Sequence, residues 1–194
     1  DWTFTITPAA LTASGSGTAS GTFGGSLGSL SVSGLKAMLG TDEIPGRWAL
    51  SGSNIPNVGD TGMYTAEFTA DVHPEYYKPL TAKVTLDIAK AQAPAMADTT
   101  LSCYWGASGE KSVSLAGLPE NTGEIYPATI VVSDVNGILA ADSARYSDGK
   151  LYFTLGENTE ESIGNTAEIT VTLPTQNYTD FTFRITVTLA AKGD

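Results

Sequence analysis

The chain has little of what enzymes and nucleic-acid binders depend on. Of its 194 residues, one is cysteine and one is histidine. The single thiol, Cys103, excludes a disulfide within the chain. Its place in Leu101-Ser102-Cys103-Tyr104-Trp105 reads as a strand position, where a thiol packs as a small apolar group. A nucleophilic Cys103 would need a base beside it, and the lone histidine, His73, is distant in sequence. No nucleophile-elbow pattern surrounds any serine. Charged residues amount to only 16%, against about a quarter in ordinary globular chains. Basic residues are the scarcer: 10 Lys and Arg against 21 Asp and Glu give a net charge of −11. Such a chain repels phosphate, and no basic stripe interrupts the repulsion, so nucleic acid and anionic membrane surfaces are poor partners. No apolar run approaches the roughly 18 residues of a membrane span, so direct membrane insertion is not expected. No leader-type segment opens the sequence, and any targeting or anchoring segment is expected outside it.

What fills the composition is Thr, Ser, Ala and Gly. Thr favours strands through its stiff β-branch, while Gly and Ser supply turns. The arrangement is repetitive. Residues 77–89 align without a gap on residues 178–190, an offset of 101. At the same offset Thr65-Ala66-Glu67 meets Thr166-Ala167-Glu168, and Thr69 meets Thr170. A period of domain size makes this a tandem pair, read as residues 1–91 and 92–194 with a short Ala/Pro piece, Ala91–Ala95, at the boundary. Leu80, Ala82, Val84, Leu86 and Ile88 alternate with polar residues, as do Phe181, Phe183, Ile185, Val187 and Leu189. Period-2 alternation is a strand with one face on a core and one in water. Tyr64, Ala66 and Phe68, and Ala167, Ile169, Val171 and Leu173, behave alike, so each half closes with two long antiparallel strands. Residues 1–7 parallel residues 180–186. They read as the last strand of an upstream module, or as a first strand of the same binary pattern.

Shorter strands are expected over residues 31–35, 47–50, 111–115 and 125–132, with strand and turn over 14–29. Asp148-Gly149 marks a hairpin, since both residues tolerate the positive φ of a type I′ turn. No segment shows helical periodicity over three turns.

Several elements then follow a recognisable order. Phe23-Gly24-Gly25-Ser26-Leu27 precedes Ile44-Pro45-Gly46-Arg47-Trp48. After these come Val58-Gly59-Asp60-Thr61-Gly62-Met63-Tyr64-Thr65-Ala66-Glu67-Phe68 and a closing Tyr77 to Lys90-Ala91 strand. In this the first half resembles the immunoglobulin-like repeats of large Gram-positive bacterial cell-surface proteins, of adhesin or stalk type. The second half looks related through Gly117-Leu118-Pro119 and Asn177-Tyr178-Thr179-Asp180. The resemblance implies an all-β chain of two tandem immunoglobulin-like β-sandwich domains with Greek-key connections and little or no helix. It also implies a secreted, monomeric, structural or adhesive module pair at the bacterial cell surface or wall. Its partners would be neighbouring modules of the same chain and a host or cell-wall glycan or protein. The alternative is a carbohydrate-binding pair attached to an extracellular enzyme.

No catalytic residue is expected. Hydrolysis by paired carboxylates needs two of them about 5–10 Å apart across a cleft, and a small sandwich offers little cleft. No cofactor is expected either, with calcium as the one candidate. Asp134-Val135-Asn136-Gly137 resembles a fragment of an oxygen-ligand loop, making Asp134 and Asn136 the candidate metal ligands, although the later acidic positions of an EF-hand are missing. A turn whose Asp and Asn bond their own backbone is the competing reading. Sugar binding would use exposed aromatics. Among Trp48, Trp105, Tyr76, Tyr77 and Tyr104, the pair Tyr76 and Tyr77 is the ligand-binding candidate, because adjacent residues of an extended chain point to opposite sides.

Overall fold

The computed structural model describes residues 7–192, and these divide into two units between Ala91 and Gln92. Residues 1–6 lie outside the described residues, and with them the reading of residues 1–7 as a strand.

In the first unit the strands are β1 (Thr12–Ser14), β2 (Gly17–Thr22), β3 (Ser31–Ser33), β4 (Lys36–Leu39), β5 (Asp42–Ile44), β6 (Gly46–Leu50), β7 (Tyr64–Ala70) and β8 (Leu80–Ala89). They form a sheet in the order β3-β2-β8-β7-β6 and a smaller one in the order β1-β4-β5. The two sheets share one long bent hairpin. β1 continues into β2, and β3 into β4, with the bends at Gly15 and Gly34. Across the bend the register slips from Ser14↔Lys36 to Thr18↔Ser33, one extra residue on the first strand. An extra residue of this kind bends a strand, and here it carries the hairpin from one sheet to the other. Gly15 (φ 97°) and Gly34 (φ 79°) both occupy left-handed backbone. A Cβ on Gly15 would strike the Gly34 carbonyl oxygen, and one on Gly34 would strike that of Ser16. Only glycine fits both conformation and space.

The second unit contains β9 (Thr99–Tyr104), β10 (Glu110–Ser114), β11 (Thr129–Ser133), β12 (Arg145–Ser147), β13 (Lys150–Thr154), β14 (Thr166–Leu173) and β15 (Phe181–Ala190). One sheet runs β10-β13-β12 and the other β11-β14-β15-β9. Successive strands pass between the sheets except at the hairpins β12–β13 and β14–β15. With the strands lettered A to G, the sheets are B-E-D and C-F-G, the arrangement of an immunoglobulin-like sandwich, with the first strand laid parallel on the last. The first unit repeats the larger sheet: β2 is parallel to β8, then come β7 and β6. It has no strand between β6 and β7, so the D–E hairpin is replaced by the β1-β4-β5 sheet. The chain is all-β, with three-residue 3₁₀ turns at Leu27–Ser29, Pro74–Tyr76 and Glu160–Ser162.

The alternation read in the sequence sets the cores. Phe181, Phe183, Ile185, Val187 and Leu189 are buried along β15, against Leu151, Phe153, Ile169 and Val171. Each such side chain contributes about 1.5–3 kcal/mol over its exposed state. The first unit gathers Ala19, Leu30, Leu50, Ile55, Ala66, Val84 and Ile88. The hairpin at Asp148-Gly149 forms as expected, with φ of 50° and 74° at the two loop residues and Ser147↔Lys150 closing it.

Two expectations are corrected. The strand expected over residues 125–132 is regular only from Thr129. Upstream there is a single bridge, Ile125↔Thr175, because Pro127 has no N–H to give the ladder. The common offset holds for the last strands, whose Leu80 and Phe181 both open them, but not for the penultimate ones. Phe68 faces Leu80, whereas Leu173 faces Phe181, so residues 69–79 separate the last facing pair of the first unit and the shorter 174–180 that of the second. Thr65-Ala66-Glu67 and Thr166-Ala167-Glu168 therefore sit four residues apart in register. Four is even, so Ala66 and Ala167 are still both buried.

Candidate functional site

The connection from β7 to β8 carries Tyr76 and Tyr77. His73 takes a left-handed conformation (φ 50°), which turns the chain sharply, and Pro74 is then the first residue of the 3₁₀ turn. The Tyr76 N–H donates to the His73 carbonyl at 2.9 Å and the Tyr77 N–H to the Pro74 carbonyl at 3.1 Å. The turn is tied to the start of the chain, since Ala9 N–H donates to the Tyr76 carbonyl and Lys78 N–H to the Ala9 carbonyl, both at 2.8 Å. The two tyrosines diverge, as adjacent residues must. Tyr76 is 44% exposed, and His73 stacks on its ring at 4.5 Å between centroids, so one ring face is covered. Tyr77 is half-buried and lines a shallow depression of about 220 Å³ with Phe68, Pro74 and Lys78. The His73 Nδ1 lies 3.0 Å from Glu75 Oε1. A backbone hydrogen bond, then that histidine, hold the Glu75 carboxyl below its usual pKa.

The Asp134–Gly137 turn follows β11. Asp134 accepts the Ile138 N–H on Oδ1 at 3.0 Å and the Leu139 N–H on Oδ2 at 2.7 Å. Both carboxylate oxygens thus accept from the turn's own backbone, four and five residues on. Asn136 is exposed and does not join Asp134 in these bonds. Among the described residues, no group of three or more His, Cys, Asp or Glu side chains is placed to hold a metal ion.

The other aromatics divide. Trp48 packs on Phe68 at 5.2 Å and against the first core. Trp105 is half-buried beyond β9, its backbone N–H donating to the Ala190 carbonyl, while Tyr104 is exposed. Cys103 is buried in the second core, and burial raises its pKa against a smaller opposing effect of Lys111. His73 lies in the first unit and Cys103 in the second. Among the described residues no helix is long and apolar enough to cross a membrane. The feature sequence reasoning missed is the open flank of β11, where Val131, Val132 and Val135 are exposed. Its signal was the uncharged run Thr129–Ser133, read there only as a strand.

No protein-family model and no curated protein matches the sequence. Among solved structures, a fragment of three titin immunoglobulin domains is similar at 12% identity and a TM-score of 0.41, over 93% of this chain and 66% of that one. The S-layer protein rSbsC is similar at 14% identity and a TM-score of 0.35, over 85% of this chain and 24% of that one. The three N-terminal domains of the bacteriophage RB49 highly immunogenic outer capsid protein follow at 9% identity and 0.36, over 94% and 70%. The chain spans just under two thirds of the titin three-domain fragments it matches. The immunoglobulin-like class rests on strand order and register, as the superpositions are partial.

Proposed function

We propose that the chain is a non-catalytic pair of structural or adhesive modules from a secreted bacterial cell-surface protein, acting as a spacer and a binding surface. The observation that supports this is the duplication of one self-sufficient sheet. Four strands assemble in the same order in each unit, β2-β8-β7-β6 in the first and β9-β15-β14-β11 in the second, and each unit buries a separate core. Units that bury their own faces can be strung in series without a shared core. The acidic surface, at −11 overall, keeps such a string soluble.

The alternative, a carbohydrate-binding pair, is favoured by one observation, the exposed Tyr76 ring held on a pinned turn. A glycan array with the intact chain beside Tyr76→Ala and Tyr77→Ala separates the two. The proposed reading expects no glycan signal that depends on these rings while all three proteins give the same circular dichroism. Specific binding lost in Tyr76→Ala would overturn it in favour of the sugar reading.

A further inference from the structure

We infer that the free edge of β11 is a docking site for an extended segment of another protein, one whose alternate side chains are apolar and whose ends carry Lys or Arg. The inference deepens the adhesive part of the proposed function by naming a partner class, and it is independent of Tyr76 and Tyr77.

β11 stands at the margin of the β11-β14-β15-β9 sheet and, among the described residues, pairs with β14 alone. Its other edge presents backbone N–H and C=O groups that can template a further strand. In variable-type immunoglobulin domains this is the edge on which additional strands are laid. Side chains on both faces are left short of cover. Ile130 and Val132 lie opposite buried Val171 and Ile169, so they share the core-facing side, yet Val132 is 43% exposed. Together with Leu139, Ala140 and Ala144 they wall a depression of about 540 Å³. On the other face Val131 is 60% exposed, and Val135 just beyond the strand is 93% exposed. Protected edges usually carry an inward charge or a lysine. Thr129–Ser133 carries no charge, and the nearest protective device, Pro127, lies upstream of the open stretch.

Charge selects the occupant. Asp134 and Asp142 line the depression, and Asp148 lines a neighbouring one with Ile125, Tyr126 and Ile130. Neither depression is lined by Lys or Arg. A second copy of this chain would set these carboxylates against their own kind, within a molecule already at −11. A strand with basic residues at its ends meets them with opposite charge, while the alternate apolar side chains between those ends enter the depression beside Val132. This is strand addition, in which main-chain bonds give affinity and alternate pockets give specificity. The five residues of β11 offer about 17 Å of edge at the usual rise per residue.

The test uses the full chain and a synthetic peptide, Lys-Val-Thr-Val-Thr-Val-Lys with blocked ends, in NMR titrations and amide exchange. The expected result is slowed exchange at amides within Thr129–Ser133, by about tenfold or more at saturation, with affinity falling as salt rises. The same peptide with Glu for Lys should bind at least about tenfold more weakly. Asp142 and Asp148 both have positive φ, which Asn tolerates, so Asp142→Asn with Asp148→Asn keeps the fold and should weaken binding of the Lys peptide. Val131→Lys, on the exposed face, should weaken it as well. The proposal is overturned if no amide of Thr129–Ser133 is protected, or if the Glu peptide binds as well as the Lys peptide. Sedimentation showing a dimer that buries β11 would overturn it too, by making a second copy the occupant. A glycan-array result alters none of these outcomes, so failure here and failure of the spacer reading are told apart.

Discussion

At the scale of single residues, three positions carry consequences that measurement can reach. Gly34 sits in left-handed backbone with a carbonyl oxygen where its Cβ would be, whereas Gly40 (φ 63°) has open space there. Gly40→Ala should cost only the conformational penalty, on the order of 1 kcal/mol, and Gly34→Ala clearly more, because it also forces the bent hairpin apart. Urea unfolding of the two variants gives the comparison, and equal costs would mean the close approach does not matter. Cys103 has a pKa raised by burial. Its contribution to stability is therefore complete below the ordinary thiol pKa and is lost as pH climbs through the higher folded value. Alkylation at mildly alkaline pH should be far slower in the folded chain than in urea, and Cys103→Val should reduce the alkaline fall in stability. Asp134 caps two backbone amides, so Asp134→Ala should cost about 1–2 kcal/mol and Asp134→Asn less, since an amide keeps one acceptor. With both oxygens engaged, chelation by EDTA should leave the melting temperature unchanged. A drop that calcium restores would instead mark a metal site.

Elements were legible where one face is buried and the other wet. β8 and β15 follow the alternation residue by residue, because a one-residue slip would put every core side chain in water. Asp148-Gly149 was equally plain, since few residue pairs accept two positive φ angles. The hairpin of β4 and β5 was not legible. Its strands are three and four residues long, too short for a period, and their residues are mostly exposed. The bend at Gly15 and Gly34 was hidden for another reason: it depends on two glycines meeting across a hairpin, and sequence shows each alone. The same holds for the candidate surfaces. That one of Tyr76 and Tyr77 faces out follows from their adjacency, but the His73 stack depends on a left-handed turn. That the 125–132 segment contained a strand was readable, while its position at a sheet margin depends on which strands lie beside it. The four-residue shift between the penultimate strands shows the limit of repeat alignment. Binary pattern fixes a strand's face, and connection length fixes its register.

At the scale of the whole molecule, two units of related topology rest on unequal cores. The second buries Phe153, Phe181 and Phe183 among Leu, Ile and Val side chains. Among the described residues, the buried set of the first has no aromatic residue, and two of its members are alanines, Ala19 and Ala66. Aromatic side chains bring the largest apolar area to a core, and each full burial of a large side chain contributes about 1.5–3 kcal/mol. The first unit also closes its smaller sheet with strands of three and four residues, where the second supplies the five-residue β10 and β13. The first unit should therefore melt first. Calorimetry of the chain should resolve two transitions, and residues 1–91 and 92–194 expressed separately should each reproduce one of them, the former at the lower temperature. Tryptophan reports which is which: Trp48, packed on Phe68 in the first unit, should change its surroundings in the early transition. With Trp2 replaced by Phe throughout, Trp48→Phe would then remove most of the early fluorescence change and keep the late one, which Trp105 reports. A single transition in the intact chain, with neither half folding alone, would mean that the two cores are not independent. In that case the reading of the chain as self-sufficient units strung in series would fail with it.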